Sequence, residues 1–188
     1  METIEEWDNY YKTATAVPVC DVLKENLHLL SNQGQALDLA CGLAKNGILL
    51  AERGYQVDAW DNSIVAVEKV NQFAKSNNLT LRASQLDIIK VTYPKSYYDV
   101  IVFTHFLEQS LTQSVIDALR PNGLLFFQTF TRQKVKQVGP TNDIYCLADN
   151  ELHSMFSPLK VLVYREEEKI GDTSLGFRNE AMLVAIKK

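Results

Sequence analysis

Three aspartates follow one another at similar intervals along the chain. Asp38 lies in "ALDLACGLAKNG", Asp61 in "AWDNS" and Asp87 in "SQLDI". Each stands at or near the end of a short apolar stretch. An ionised carboxylate accepts on both oxygens, so it can hold a pair of sugar hydroxyls or an amino group. Asp61 follows the loop Ala40-Cys41-Gly42 by roughly 20 residues, the interval at which an acid meets ribose hydroxyls and disfavours a 2′-phosphate. Asp87 is expected to accept from an adenine amino group, with Leu86 and Ile88 packing the ring. Asp38 is expected to accept from loop amides and to reach a cationic ligand group, directly or through water. Gly42 has no Cβ, so backbone and ligand can approach there. Ala40, Cys41 and Ala44 keep the loop narrow, and Asn46 and Gly47 open a helix whose first N–H groups are free. Asn62, next to Asp61, and Thr104, at the end of the fourth apolar stretch, join the ligand-side set. Together these residues fit an adenosine site.

His105 follows in "VFTHFL" and should face the ligand edge. It is a candidate general base; the competing expectation is a turn histidine bonded to backbone. Gln128 and Thr129 end the fifth strand and are candidates for the pocket wall. Cys41 reads as a small loop residue. Cys20, Cys41 and Cys146 are an odd, widely spaced set, which gives neither a disulfide framework nor a zinc pattern. No metal site is expected.

The elements that must hold these residues alternate between two periods. Residues 17–30 carry a helical apolar stripe, and "SNQGQ" breaks it. Residues 36–40 read as a short buried strand, 46–53 as a helix stopped by Gly54, and "YQVDAW" as the next strand. Residues 63–76 form a second helix with Ser63 as its N-cap. "LTLRASQLD" is a third strand and its exit, and "YYDVIVFTHF" is a fourth, apolar enough to be central. Residues 110–119 form a helix stopped by "RPNG", and "LLFFQTF" is a fifth strand. The rhythm then changes. "DNELHSMF" is a short helix with Asp149 or Asn150 as cap. "LKVLVYREEE" and "NEAMLVAIKK" are strands joined by "KIGDTSLG", and one of the two is expected to run antiparallel. Alternating strands and helices imply a mostly parallel sheet covered on both faces. No linker is visible, so residues 1–188 are taken as one domain.

The totals fit that picture. The chain of 188 residues is 46% hydrophobic and 22% charged, enough for one sizeable core. A net charge of −4 gives no bulk attraction to nucleic acid or to an anionic membrane. The start, "METIEEWDNYYK", lacks the features of a leader, and no stretch approaches a membrane span. A soluble cytoplasmic protein with a small-molecule partner is expected. The oligomeric state is not readable.

A dinucleotide loop wants G-x-G-x-x-G to cradle pyrophosphate. Those three places hold Ala40, Gly42 and Lys45, and the antiparallel ending is foreign to a simple dinucleotide-binding half. A nicotinamide-dependent oxidoreductase is therefore disfavoured against a site for S-adenosylmethionine. Here the motifs "LDLACGLAKNG", "GYQVDAWDNS", "SQLD", "YYDVIVFTHFL" and "LRPNGLLFFQTF" resemble those of class I S-adenosylmethionine-dependent methyltransferases. Within that class, "GYQVDAWD" and "GFRNEAMLVAIKK" look most like the small tellurite-resistance (TehB-like) group. Ala40 and Ala44 depart from the glycines usual there, which keeps a non-catalytic binding protein as the alternative. The resemblance implies a Rossmann-like methyltransferase fold: a seven-stranded, mostly parallel sheet with a C-terminal antiparallel hairpin. It implies S-adenosylmethionine held by the loop, Asp61 and Asp87, and an N-terminal segment with Trp7, Tyr10 and Tyr11 lying over it. It also implies that Arg178 faces an anionic acceptor, against the alternative of an ion pair with a neighbour such as Glu180. Tellurite or a thiol is the acceptor type that this group suggests.

Overall fold

A computed structural model describes residues 3–15 and 18–188. Seven strands form one sheet in the order β3-β2-β1-β4-β5-β7-β6. They are β1 Gly34–Leu39, β2 Tyr55–Asp61, β3 Leu81–Gln85, β4 Tyr98–Thr104, β5 Leu119–Phe130, β6 Lys160–Glu166 and β7 Glu180–Ile186. β1 to β5 pair in parallel, and β7 is antiparallel to both β5 and β6. The expected antiparallel member of the closing hairpin is thus β7, inserted between β5 and β6.

Alternation along the strands builds two cores. Leu37, Leu39, Ile101, Phe103, Leu125, Phe127 and Leu183 point to one face, where α5 (Thr112–Ala118) and α6 (Glu151–Met155) pack. Ala36, Val57, Ala59, Val100, Val102, Phe126, Met182 and Val184 point to the other, under α2 (Asp21–Lys24), α3 (Lys45–Glu52) and α4 (Ile64–Ser76). β4 is buried almost throughout, as its unbroken apolar run requires. Residues 86–97, between β3 and β4, form no helix. An aromatic group covers the sheet there instead, with Trp60 5.2 Å from Tyr93 and 6.3 Å from Tyr98.

Ser63 caps α4, its hydroxyl accepting from the amide of Ala66. The helical stripe of residues 17–30 is realised differently. Val17 lies outside the described residues, α2 spans one turn, and a 3-10 turn follows at Leu27–Leu29. Asn26 explains the break, since its side-chain amide donates to the carbonyl of Val22 and competes with the helical ladder. β5 begins at Leu119 and takes in "RPNG", with a register shift against β4 between Tyr98 and Val100. Asn150 holds the N-cap position of α6, but in a left-handed conformation and without a side-chain cap.

α1 (Ile4–Thr13) opens with a capping box: the Thr3 hydroxyl accepts from the amide of Glu6, and Glu6 accepts from the amide of Thr3. It contains no buried residue and leans on α4 by polar contacts. Asp8 accepts from the Ser63 hydroxyl at 2.5 Å, and Lys69 donates to the carbonyls of Tyr11 and Lys12.

Candidate functional site

β1 and β4 are neighbours, with β2 beyond one and β5 beyond the other, so the strand order reverses between them. Ligands of open parallel sheets bind outside the carboxyl ends at such a point. A cavity of about 780 Å³ lies there, walled by α1, the β1–α3 loop, the ends of β2 and β3, and the end of β4. Tyr11, Ala40, Cys41, Gly42, Asn46, Asp61, Asn62, Leu86, Asp87, Thr104 and His105 all line it. The sequence places these residues up to 94 positions apart, and the topology brings them to one rim.

The loop explains its alanines. Ala40, Gly42 and Ala44 all have φ between 50° and 54°. Glycine takes this left-handed region freely, and alanine does so at about 1–2 kcal/mol. The turn survives without the extra glycines because it is tied at several points. The amide of Cys41 donates to the carbonyl of Trp60, and that of Ala44 to the carbonyl of Cys41. Gly42 itself has no room for a side chain, since a Cβ would stand 2.5 Å from the Tyr11 hydroxyl.

Asp61 is the second tie. Its Oδ2 accepts from the amide of Gly42 at 2.7 Å, and its Oδ1 from that of Ser63 at 2.9 Å. A carboxylate has about four acceptor positions, so capacity remains for a ligand hydroxyl. Burial raises its pKa, and the amides of Ser63 and Gly42 oppose the rise.

Asp38 is corrected in position. It is buried beneath the loop and does not line the cavity. Its Oδ2 accepts from the amide of Gly47 at 2.7 Å, where a Cβ on Gly47 would crowd it at 3.1 Å. Burial pushes its carboxyl up to about 7, opposed by the Gly47 amide and aided by Asp61. The expected role as acceptor for a loop amide is what the geometry shows.

Asp87 is exposed at the rim and accepts from Lys90 at 2.7 Å and from the amide of Ile89. The Lys90 hydrogen bond holds its carboxyl below the usual range. Leu86 and Ile88 flank it on the cavity wall.

His105 adopts φ 56°, a strained conformation for a non-glycine residue. Its amide donates to the carbonyl of Gln128, which fixes the turn after β4. Its Nε2 lies 3.2 Å from Glu180 Oε2, and its Nδ1 3.7 Å from Cys20 Sγ. Burial by itself favours the neutral ring. Hydrogen bonds and charge from Cys20 and Glu180 outweigh it and raise His105 to about 10. Glu180 is drawn down in turn: its burial acts upward, and the bond to His105 prevails.

Arg178 is the second correction. It does not line the cavity. Its guanidinium donates to the carbonyls of Glu167, Glu168, Ile170, Asp172 and Leu175, and approaches the Glu167 carboxylate at 4.0 Å. Those bonds commit the whole fork to the β6–β7 loop. Gln128 and Thr129 are buried and also lie off the cavity wall. Gln128 instead bridges Glu180 and the amide of Val22. The wall also includes Cys20 and Phe106, to which the motifs assigned no ligand role. Neither carries a short-range signal.

Residues 3–173 match the family described as "Tellurite resistance protein TehB". The chain belongs to the TehB family. It is 25% identical over 142 residues to a probable S-adenosyl-L-methionine-dependent methyltransferase TehB of Haemophilus influenzae, a match covering 70% of this chain and 48% of that protein. It is 29% identical over 120 residues to a putative methyltransferase YqeM of Bacillus subtilis, covering 59% of this chain and 48% of that one. The chain spans about half the length of these curated relatives. The crystal structure of TehB from Haemophilus influenzae superposes with a TM-score of 0.75 at 23% identity, over 96% of this chain and 66% of that one. A TehB-like methyltransferase from Corynebacterium glutamicum gives 0.68 at 14% identity, over 98% and 95%. These two structures share the TehB fold described above.

Proposed function

We propose that this TehB-family chain binds S-adenosylmethionine in the rim cavity and transfers its methyl group to a small-molecule acceptor. The observation that carries the reading is the convergence of the Gly42 cradle, Asp61 and the Leu86–Asp87 wall on one cavity. When bound, S-adenosylmethionine supplies a methyl group on a positively charged sulfur, already activated for direct displacement. The chain's own task is then to align the acceptor and exclude water. Gly42 admits the ligand against backbone, and the free lone pairs of Asp61 suit the ribose hydroxyls. Asp87 suits the adenine amino group once it shares its bond with Lys90, and Leu86 and Ile88 pack the ring. Tyr11, from α1, closes over the loop.

His105 fits the acceptor side as a cation. Against its burial, Cys20 and Glu180 together raise it to about 10, so it brings positive charge to that side of the cavity. The other cations among the described cavity-lining residues are Lys45, over the Phe73 ring, and Lys90, on Asp87. An anionic or soft acceptor, a reduced chalcogen oxyanion such as tellurite or a thiolate, needs no base and suits this wall. No described helix is long and apolar enough to cross a membrane, and three free thiols suit a reducing cytoplasm.

Calorimetric titration with S-adenosylmethionine, S-adenosylhomocysteine and NADH tests the reading. Micromolar binding of both adenosyl ligands and none of NADH is expected. Asp61→Asn should weaken it tenfold or more, since bonds to a charged group contribute about 1.5–3 kcal/mol. No adenosyl binding would remove the enzyme assignment.

A further inference from the structure

The cavity wall holds a second constellation, which shares His105 with the acceptor side. Cys20 stands at the start of α2, half-buried and facing the cavity. Two nitrogen groups converge on its sulfur. His105 Nδ1 lies at 3.7 Å and Asn46 Nδ2 at 3.8 Å. The orientation of Asn46 follows from its other bonds, because its Oδ1 accepts from the amide of Cys20 at 3.0 Å and its Nδ2 also donates to the Thr104 hydroxyl. Behind the imidazole, Glu180 accepts from Nε2 at 3.2 Å and is itself fixed by Gln128 at 2.5 Å. Gln128 then accepts from the amide of Val22, two residues beyond Cys20. Sulfur, imidazole and carboxylate therefore belong to one closed hydrogen-bonded frame. A nucleophile touching a base that is oriented by a third group is the general arrangement of an activated side-chain nucleophile.

The other two thiols lack this setting. Cys41 faces the carboxylates of Asp38 and Asp61, and burial pushes its thiol well up. Cys146 is fully buried among Lys134 and Pro140.

We propose that Cys20 is a nucleophilic thiol of the cavity wall that exchanges with small-molecule disulfides. The cavity, about 780 Å³, has the size for a small molecule. In the exchange the Cys20 sulfur attacks one sulfur of R–S–S–R, and His105 holds the proton that Cys20 gives up. The substrate S–S bond breaks, the mixed disulfide Cys20–S–S–R forms, and RS⁻ leaves with the proton from His105. The disulfide is the oxidant, and a second small thiol reverses the step. The site goes beyond methyl transfer and needs no cofactor.

The first test is alkylation by iodoacetamide near pH 6.5, followed by peptide mass mapping without cofactor. Free cysteine is only about 1% ionised there, and reduced nucleophilicity erodes part of any gain. Cys20 is expected to react about tenfold or more faster than free cysteine, and ahead of Cys41 and Cys146. Glu180→Gln and His105→Ala should bring the rate back toward that of free cysteine, in variants whose thermal melts show a folded protein. Bis(2-hydroxyethyl) disulfide should then give a mixed disulfide on Cys20 that dithiothreitol removes. A Cys20 rate equal to free cysteine, or first reaction at Cys41, would overturn the proposal. Should a variant fail to fold, the wild-type rate ratios decide alone.

Discussion

Asp38 is sealed beneath the ligand loop with its Oδ2 on the amide of Gly47, and burial carries its carboxyl up to about 7. In an unfolded chain the same group ionises near the ordinary value of 3.8. Between about pH 4 and about 7 the native state therefore holds a proton that the unfolded state has lost. Stability from this group falls as pH rises through that window and is level above it. Asp38→Asn keeps an oxygen for Gly47 and removes the titration. Urea unfolding at a series of pH values should show the variant gaining on the wild type from pH 4 to 7, by on the order of a few kcal/mol. Parallel profiles would mean that the carboxylate is paid no such penalty. Ala40, Ala44 and His105 carry a different kind of stored energy. All three hold left-handed backbone around the same rim, strain of the sort that gathers where a site must be shaped in advance.

Arg178 belongs to the scale of the element. Its five-carbonyl grip organises the turn between β6 and β7, which has little apolar contact of its own: Ile170 and Leu175 are largely exposed. Arg178→Met should lower stability by about 2 kcal/mol or more. It should also speed amide exchange across residues 167–176, while leaving adenosyl-ligand affinity unchanged. A variant with native stability and lost ligand binding would return the residue to the site. The same loop shows where sequence reading stops. β1, β2 and β4 were legible because apolar runs ended in acids or small residues, and Ser63 was legible because a cap is a local bond. The mostly parallel sheet followed from alternation, and the seven strands with a closing hairpin from the family resemblance. Arg178 was not legible, since its partners are backbone carbonyls that exist only once the turn is folded. The break in the 17–30 stripe hinges on a single asparagine side chain. Cys20, His105 and Glu180 lie 85 and 75 residues apart, and no local spacing announces that they meet.

At the scale of the whole molecule the sheet and α1 are held by different forces. β4 is buried on both faces between two apolar cores, so its amides should exchange only through global unfolding. α1 has no buried residue and rests on Asp8, Lys69 and its own aromatic row, with Trp7 stacked 5.8 Å from Tyr11. Such a segment opens at a small fraction of the global free energy. Hydrogen exchange followed by mass spectrometry should show α1 opening by orders of magnitude more often than β4. Equal protection would mean that α1 is part of the cooperative core. A molecule built this way separates affinity from traffic. For the binding proposed above, the gripping contacts come from strand ends that never let go of one another, and the rates of arrival and departure are expected to follow one ten-residue helix.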